Sequence, residues 1–455
     1  MKKYLPIYFV ILLAAFSFVS CDMEDEDAVE LSPYAFVKSF KIGNIRSSYP
    51  AFTSDGRDTT VVRTMSMESF SFTIDQLSGQ IYNSDSLPFC TNVSKVVANI
   101  SCEGIISIYV DSADVYEAYS STDSIDFTSP RKLRVYSLGG ESYKDYTVAV
   151  NVHRVEPDKM EWTLSQAVEG VAPERALEAN SAMYLFGKDS EGAAVVANTS
   201  IEGEPVWSIA HLSGLPAAAD LTTIHLFKGM FYAVAEGCIY SSTDAVAWSL
   251  AASGSDAVTI VGASDEEGKL WIAGEQGLFC STDGVTFDAA GDLPANFPLY
   301  GVSIMSYPLN HNNSIIRYVL VGYATEAKDG EVYVWNRLST EEKWTCYNNT
   351  GNEFVCPALK GVAVLHYDGH LFALGGAGTV CGKEVEAFNS FYVSKDNGIV
   401  WKEYQSFYQH LPKELKGDNA PFAVAVDSRN YMWIMNSGTN GGVRKGIINR
   451  LGFQK

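Results

Sequence analysis

The 455-residue sequence is short of positive charge: 33 lysines and arginines stand against 54 aspartates and glutamates, for a formal net charge of −21. A chain this acidic repels phosphate backbones, which excludes a general nucleic-acid binder. Proline (15 residues) and glycine (37) are too sparse, and aromatics at 12% too frequent, for a disordered or low-complexity chain. Beyond residue 20 no apolar run approaches the length of a membrane span. There is no Cys-x-x-Cys pair, and the 7 histidines lack metal-ligand spacing, so no metal is implied. His366 and His370 lie four apart, but Tyr367-Asp368-Gly369 between them reads as a hairpin turn, which makes them structural. No Gly-x-Ser-x-Gly elbow is present, and no glycine-rich stretch is followed by Lys-Ser/Thr. No cofactor is implied. What is there, 47% hydrophobic against 19% charged residues, suits a packed protein of two or three domains.

Residues 1–20 read as a targeting signal: Lys2 and Lys3 precede an almost unbroken apolar run from Leu5 to Val19. Phe18-Val19-Ser20-Cys21 resembles a bacterial lipobox, in which Cys21 becomes the lipidated first residue; Phe18 stands where that motif usually has Leu. The segment 21–30 opens with Asp22-Met23-Glu24-Asp25-Glu26-Asp27, a self-repelling acidic tether. It is similar to the surface-export signal of Bacteroidota lipoproteins, which implies an outer-membrane protein, lipid-anchored and facing the medium. The lipid would be its sole membrane anchor. Seven cysteines remain after Cys21, so at least one thiol stays free; Cys90 with Cys102, and Cys346 with Cys356, are disulfide candidates by proximity.

The pattern predicts an all-β chain. Over 31–155, short alternating runs such as Phe70-Ser71-Phe72-Thr73-Ile74 and Tyr146-Thr147-Val148-Ala149-Val150-Asn151-Val152 read as strands, with Gly139-Gly140 marking a hairpin. This segment resembles an immunoglobulin- or cadherin-like β-sandwich.

Over 156–455 an aromatic-led apolar strand recurs six times, at 183–187, 231–235, 270–274, 317–322, 371–375 and 432–436. Each is followed by an aromatic: Trp207, Trp248, Phe287, Trp344, Trp401 and Phe453. Roughly fifty residues per repeat is the length of a four-stranded blade, so a six-bladed β-propeller is expected. The last blade lacks an outer strand, and Met160-Glu161-Trp162-Thr163-Leu164-Ser165 is expected to supply it and fasten the circle near Trp162.

Three repeats carry a sharper signature. Ser242-Thr243-Asp244 leads to Trp248, Ser281-Thr282-Asp283-Gly284 to Phe287, and Ser394-Lys395-Asp396-Asn397-Gly398 to Trp401. The last matches the Asp-box pattern S-x-D-x-G-x-x-W in full; the first two are shorter, and Ala245 replaces part of the glycine turn. Within such turns the Ser and Asp satisfy backbone groups and the aromatic plugs the space between sheets. The lipobox, sandwich and propeller together resemble an uncharacterised family of Bacteroidota surface lipoproteins. Asp boxes also occur in sialidases, but those need an Arg-Ile-Pro entry that this sequence lacks, and the boxes lie away from the ligand.

The connections between second and third strands are short in the second and third repeats. They are long at 323–331, 376–389 and 437–446, and are expected to wall a cleft. Tyr323, Lys328, Lys383, Glu384, Arg444 and Lys445 lie on them as ligand-binding candidates. Glu236 and Glu275 occupy equivalent positions in adjacent repeats and are the weak candidates for a catalytic carboxylate pair. The favoured reading is a non-enzymatic surface lipoprotein whose partner is a glycan or an envelope protein. The alternatives are a polysaccharide-degrading glycoside hydrolase and a structural component of an envelope complex.

Overall fold

The computed structural model describes residues 31–52, 58–67, 70–328, 330–348, 351–406, 408–438 and 440–453. The expected signal, Cys21 and the acidic tether lie outside the described residues. The described chain is all-β, with three short 3-10 turns and no α-helix among its elements. It divides into two compact units after Arg154.

In the first unit a six-stranded sheet runs in the order Thr73–Asp75, Gln80–Tyr82, Tyr143–Ala149, Arg131–Tyr136, Ile105–Val110, Val115–Ala118. A three-stranded sheet joins Phe36–Ile42, Val96–Glu103 and Ser124–Ile125. Because successive side chains alternate across a strand, Leu133, Val135, Tyr146 and Val148 share one core with Val37, Phe40, Ile81 and Val96. The outward residues pair across the sheet: Arg134 grips Asp145 at 2.6 and 2.9 Å, between the rings of Tyr116 and Tyr143. Gly139-Gly140 turns the chain between the two strands as their spacing predicts.

The second unit opens with the strand Met160–Ser165. Four antiparallel strands follow in sequence order: Ala172–Ala179, Ala182–Lys188, Ala194–Ser200 and Ser208–His211. Next comes a seven-stranded sheet that is two such arrays sharing the strand Ser249–Ser264. The start of that strand pairs outward with Gly237–Ser242, and its end pairs with Lys269–Gly274. The next arrays begin at Tyr300–Leu309 and Ala363–Tyr367. The last sheet is ordered Met160–Ser165, Gly442–Ile448, Met432–Asn436, Phe422–Val426.

Each apolar cluster of this unit draws on two successive arrays. Phe186 packs with Phe231 and Trp248, Trp271 with Tyr318 and Trp335, and Phe372 with Met432 and Ile434. Ala423, Trp433 and Met435 of the last sheet share a cluster with Ala176, Met183 and Leu185 of the first four-stranded array.

The three Ser-x-Asp turns share one hydrogen-bond pattern. The Asp244 carboxylate accepts from the backbone N–H of Val246 and Ala247 at 2.9 and 2.8 Å, Asp283 from Val285 and Thr286 at 2.8 and 2.7 Å, and Asp396 from Ile399 and Val400 at 3.2 and 2.9 Å. Ser242, Ser281 and Ser394 each donate to that Asp. Trp248 and Trp401 are buried and donate their indole N–H to the carbonyls of Ala245 and Gly398. Ala245 fits the first turn because it adopts φ 67° in the place of a glycine.

Two expectations are corrected. Phe453 is exposed rather than buried between sheets. The outer strand of its sheet is Met160–Ser165, where Trp162 lies over Gly446 so closely that a Cβ there would stand 2.6 Å from the ring. Cys102, Cys346 and Cys356 are free thiols, so neither Cys90–Cys102 nor Cys346–Cys356 is bridged. Sequence proximity misleads here: Cys346 packs against one inter-sheet cluster and Cys356 is buried in the next. The Cys102 thiol is taken up by the carbonyl of Gly104.

The pairing of Met160–Ser165 with Gly442–Ile448 runs unbroken from Met160 opposite Ile448 to Ser165 opposite Val443. Arg450 extends it, donating to both carboxylate oxygens of Asp368 at 2.6 and 2.5 Å and to Asp158 at 2.7 Å. The part-buried pair with Asp368 carries most of this, since a charge-assisted bond contributes about 1.5–3 kcal/mol when partly buried, whereas an exposed pair such as that with Asp158 contributes about 1 kcal/mol or less. Arg450→Ala is expected to lower the melting temperature by several degrees, and an unchanged calorimetric transition would show that the clasp contributes nothing.

His366 and His370 flank a turn in which Asp368 and Gly369 have φ 51° and 72°, the two-residue geometry that strand twist favours. His366 stacks on Tyr307 with centroids 3.8 Å apart, and burial, with the neighbouring His370, pushes its pKa down to about 4. Unfolded histidine titrates near ~6.5. Between those values the unfolded chain binds the extra proton, so this contribution to stability is lost as pH falls from about 6.5 toward 4. Melting temperature measured across that window is expected to fall less steeply in His366→Phe than in the parent chain.

Candidate functional site

In the second unit, the beginnings of several first strands meet the connections between second and third strands at one end of the sheets. Residues 173–176, 301–303, 362–365 and 422–424, with parts of 327–332, 353–361 and 376–382, enclose a cavity of about 1250 Å³. That exceeds the ~300–1000 Å³ typical of small-molecule sites, so a ligand of several rings fits. The walls are largely apolar, from Val302, Val362, Val364, Phe354 and Phe422, with a few charged groups among them.

One wall exists because of glycine. The connection after His370–Leu374 is not an open loop: Gly378–Val380 and Lys383–Val385 form a hairpin that pairs with Ala358–Leu359. A Cβ on Gly378 would sit 2.1 Å from the Ala358 carbonyl, so only glycine lets the hairpin lie there.

Of the residues singled out in the sequence, Tyr323 and Lys328 line the cavity. Tyr323 is buried; its hydroxyl donates to the Leu359 carbonyl at 3.0 Å, and burial pushes its pKa up to about 12. It ties the hairpin wall to its own sheet and remains a protonated donor at neutral pH. Lys328 lies 3.9 Å from Asp220. Lys383 and Glu384 are exposed on the hairpin, whose Thr379, Cys381 and Gly382 face the cavity in their place.

Arg444 and Lys445 are not loop residues. They sit in the strand Gly442–Ile448 and are buried, because the preceding connection is shorter than the glycine-rich sequence suggests. Arg444 donates to Asn436 Oδ1 and the Asn440 carbonyl at 2.8 and 2.9 Å, and so braces that connection. Lys445 donates to the Ile201 carbonyl at 3.1 Å and lies 4.3 Å from the Trp433 ring centroid. Both are structural cations.

Glu236 and Glu275 are exposed turn residues outside the cavity lining. Each occupies a tight turn between its second and third strands, so neither reaches the enclosed space.

The charged groups inside the cavity come from positions that pattern reading passes over. Ala172–Ala179, with the sequence Ala-Pro-Glu-Arg-Ala-Leu-Glu-Ala, has helical rather than strand composition, yet forms the first strand of its sheet. Its Glu174 and Arg175 line the cavity, as do Glu331, Glu353 and Lys360. Burial raises the Glu174 pKa against the opposing pull of Lys188, 3.7 Å away. Glu331 accepts from Asn348 at 2.9 Å. The Ser303 hydroxyl accepts from the Val364 N–H at 3.0 Å, which commits it to structure. Among the described residues no group of three or more His, Cys, Asp or Glu is placed to hold a metal ion. The usable signal was an arginine just upstream of the first repeated strand, where the other repeats carry apolar or small residues.

The DUF6242 beta propeller domain matches residues 156–455, and the N-terminal domain of the same family, described as a domain of unknown function, matches 40–150. The chain belongs to this family. No curated protein matches it. Among solved structures it is similar to a DUF4623 family protein from Bacteroides eggerthii, at 11% identity over 90% of this chain and 98% of that one, with a TM-score of 0.36. It is also similar to the GH74 enzyme of Niastella koreensis, at 14% identity over 62% of this chain and 48% of that one, with a TM-score of 0.37. A gluconolactonase from Xanthomonas campestris is 12% identical over 70% of this chain and 90% of that one, with a TM-score of 0.36.

Two cysteines line the cavity with opposite exposure: Cys381 is exposed and Cys356 buried, its thiol pKa pushed up by burial. Since only the accessible thiolate alkylates, maleimide is expected to modify Cys381 first in the native protein and Cys356 only after unfolding, as read by peptide mass spectrometry. Fast labelling of Cys356 would mean that the cavity wall opens.

Proposed function

We propose that this member of the DUF6242 family is a non-enzymatic binding protein, a six-bladed propeller that takes a glycan in the cavity of its loop face. Its immunoglobulin- or cadherin-like first unit would act as a spacer, and lipidated Cys21 would hold it on the outer-membrane surface. One observation carries the reading: a deep, largely apolar cavity with a few fixed polar groups, from which Glu236 and Glu275 are absent. A concave, half-open hollow of this size suits saccharide rings better than the flat, wide contact of a protein partner. Among the described residues no helix is long and apolar enough to cross a membrane, and a lipid anchor requires none.

The hydrolase alternative keeps one supporting feature. Glu174 lines the cavity with a pKa raised by burial, as a general acid requires. Incubating the full chain with a panel of polysaccharides, scoring retention and released oligosaccharide together, decides between them. Retention without product is expected, unchanged in Glu236→Gln and Glu275→Gln. Product release abolished by Glu174→Gln would replace binding with hydrolysis. Retention of no glycan, with another envelope protein co-purifying, would favour a structural role.

A further inference from the structure

Arg175 holds a charge that its surroundings leave uncompensated. It lies where the pairing of Ala172–Ala179 with Ala182–Lys188 slips between Pro173 and Arg175, a bulge of the kind that re-aims a side chain. Its Nε donates to the Ile224 carbonyl at 3.2 Å, and its Nη2 lies 3.2 and 3.3 Å from the two ring nitrogens of His225. Both partners are neutral. His225 is buried, and burial together with the Arg175 charge pushes its pKa well below 6.5. Burial also pulls the Arg175 pKa down to about 10, which leaves the guanidinium charged at neutral pH.

Among the described residues no carboxylate stands within ion-pair distance of Arg175, and Nη1 makes no hydrogen bond. The neighbouring Glu174, by contrast, has Lys188 as a counter-ion at 3.7 Å. A charge with several hydrogen bonds to neutral groups and none to a counter-ion, lining a cavity, is an incomplete ion pair.

We propose that Arg175 is completed by a carboxylate of the ligand, so that the cavity selects a monocarboxylate, foremost a uronate-type acidic saccharide, over neutral sugars. This deepens the binding reading given above and rests on it. The guanidinium edge matches a carboxylate in bidentate geometry. The ring body then lies against the apolar walls of Val302, Val364 and Phe422. Of the three cations in the lining, Lys328 and Lys360 are exposed and screened by solvent, which leaves Arg175 as the strong positive centre; with Glu174, Glu331 and Glu353 in the same lining it favours a monoanion. A phosphate dianion would leave one charge unmatched in a poorly solvated space.

The test titrates the full chain calorimetrically with oligogalacturonate, its neutral galactose counterpart, octanoate and inorganic phosphate. The acidic saccharide is expected to bind at least tenfold more tightly than the neutral one. That advantage is expected to vanish in Arg175→Gln and to shrink in Arg175→Lys, which keeps the charge but loses the fork. Since Arg175 also fixes Ile224 and His225, its variants are first checked for an intact melting transition. Lys360→Glu, an exposed lining position, serves as an independent arm and is expected to weaken only the carboxylate ligands. Equal affinity for acidic and neutral saccharides would overturn the carboxylate assignment and leave glycan binding standing. Binding of octanoate alone, dependent on Arg175, would keep the assignment and remove the glycan. Phosphate binding as tightly as the uronate, or a folded Arg175→Gln that keeps the preference, would overturn the proposal, and so would no binding at all.

Discussion

The middle strands of the propeller unit are apolar on both faces, and the rest of the structure answers to that. All five residues of Met432–Asn436 are buried, as is every residue after the first in Met230–Ala235, Lys269–Gly274 and His370–Leu374. A sheet with one wet face would alternate. These sheets do not alternate, so each needs a neighbour on either side, and the side chains between neighbours form the separate clusters that hold the unit together. The strand Met160–Ser165 follows from the same demand, because Gly442–Ile448 would otherwise present a bare edge of backbone donors and acceptors.

The cavity is a by-product of this packing. First strands brought side by side at their starting ends leave a hollow that the connecting segments surround. What distinguishes this hollow is local: a bulge at Glu174 that places two charges in it, a glycine that lets a hairpin lie against Ala358, and a tyrosine that pins the hairpin to the adjoining sheet. The bulge and the tyrosine sit on strands, which position side chains more firmly than loops do.

Much of the framework was legible in the sequence. Five of the six repeated apolar strands lie within the observed second strands and the fifth overruns its strand by Gly375 alone, and the polar turns before them, such as Asp368-Gly369, are hairpin turns. The Ser-x-Asp turns were legible because their hydrogen bonds run between near neighbours in the chain. The site was much less so. Tyr323 and Lys328 reach the cavity, whereas Arg444 and Lys445 looked like loop residues because a glycine-rich run stood before them. Strand pairing with Met160–Ser165, far away in the sequence, holds them in a sheet instead. Glu174 and Arg175 went unmarked because Ala172–Ala179 has the composition of a helix, and its strand state comes from its partner Ala182–Lys188.

By itself, then, the sequence determined the things that depend on period and on contacts a few residues apart: an all-β chain, the division near residue 155, the repeated unit, the turns and their aromatic neighbours. Tertiary structure alone decided which polar residues share a space. Whether Arg175 meets a carboxylate or faces a cavity depends on Ile224 and His225, 49 and 50 residues along the chain, and on cavity walls from Gly301 onward. No local pattern encodes that, since charge pairing is set by distance and by burial, and both arise only once the sheets have packed.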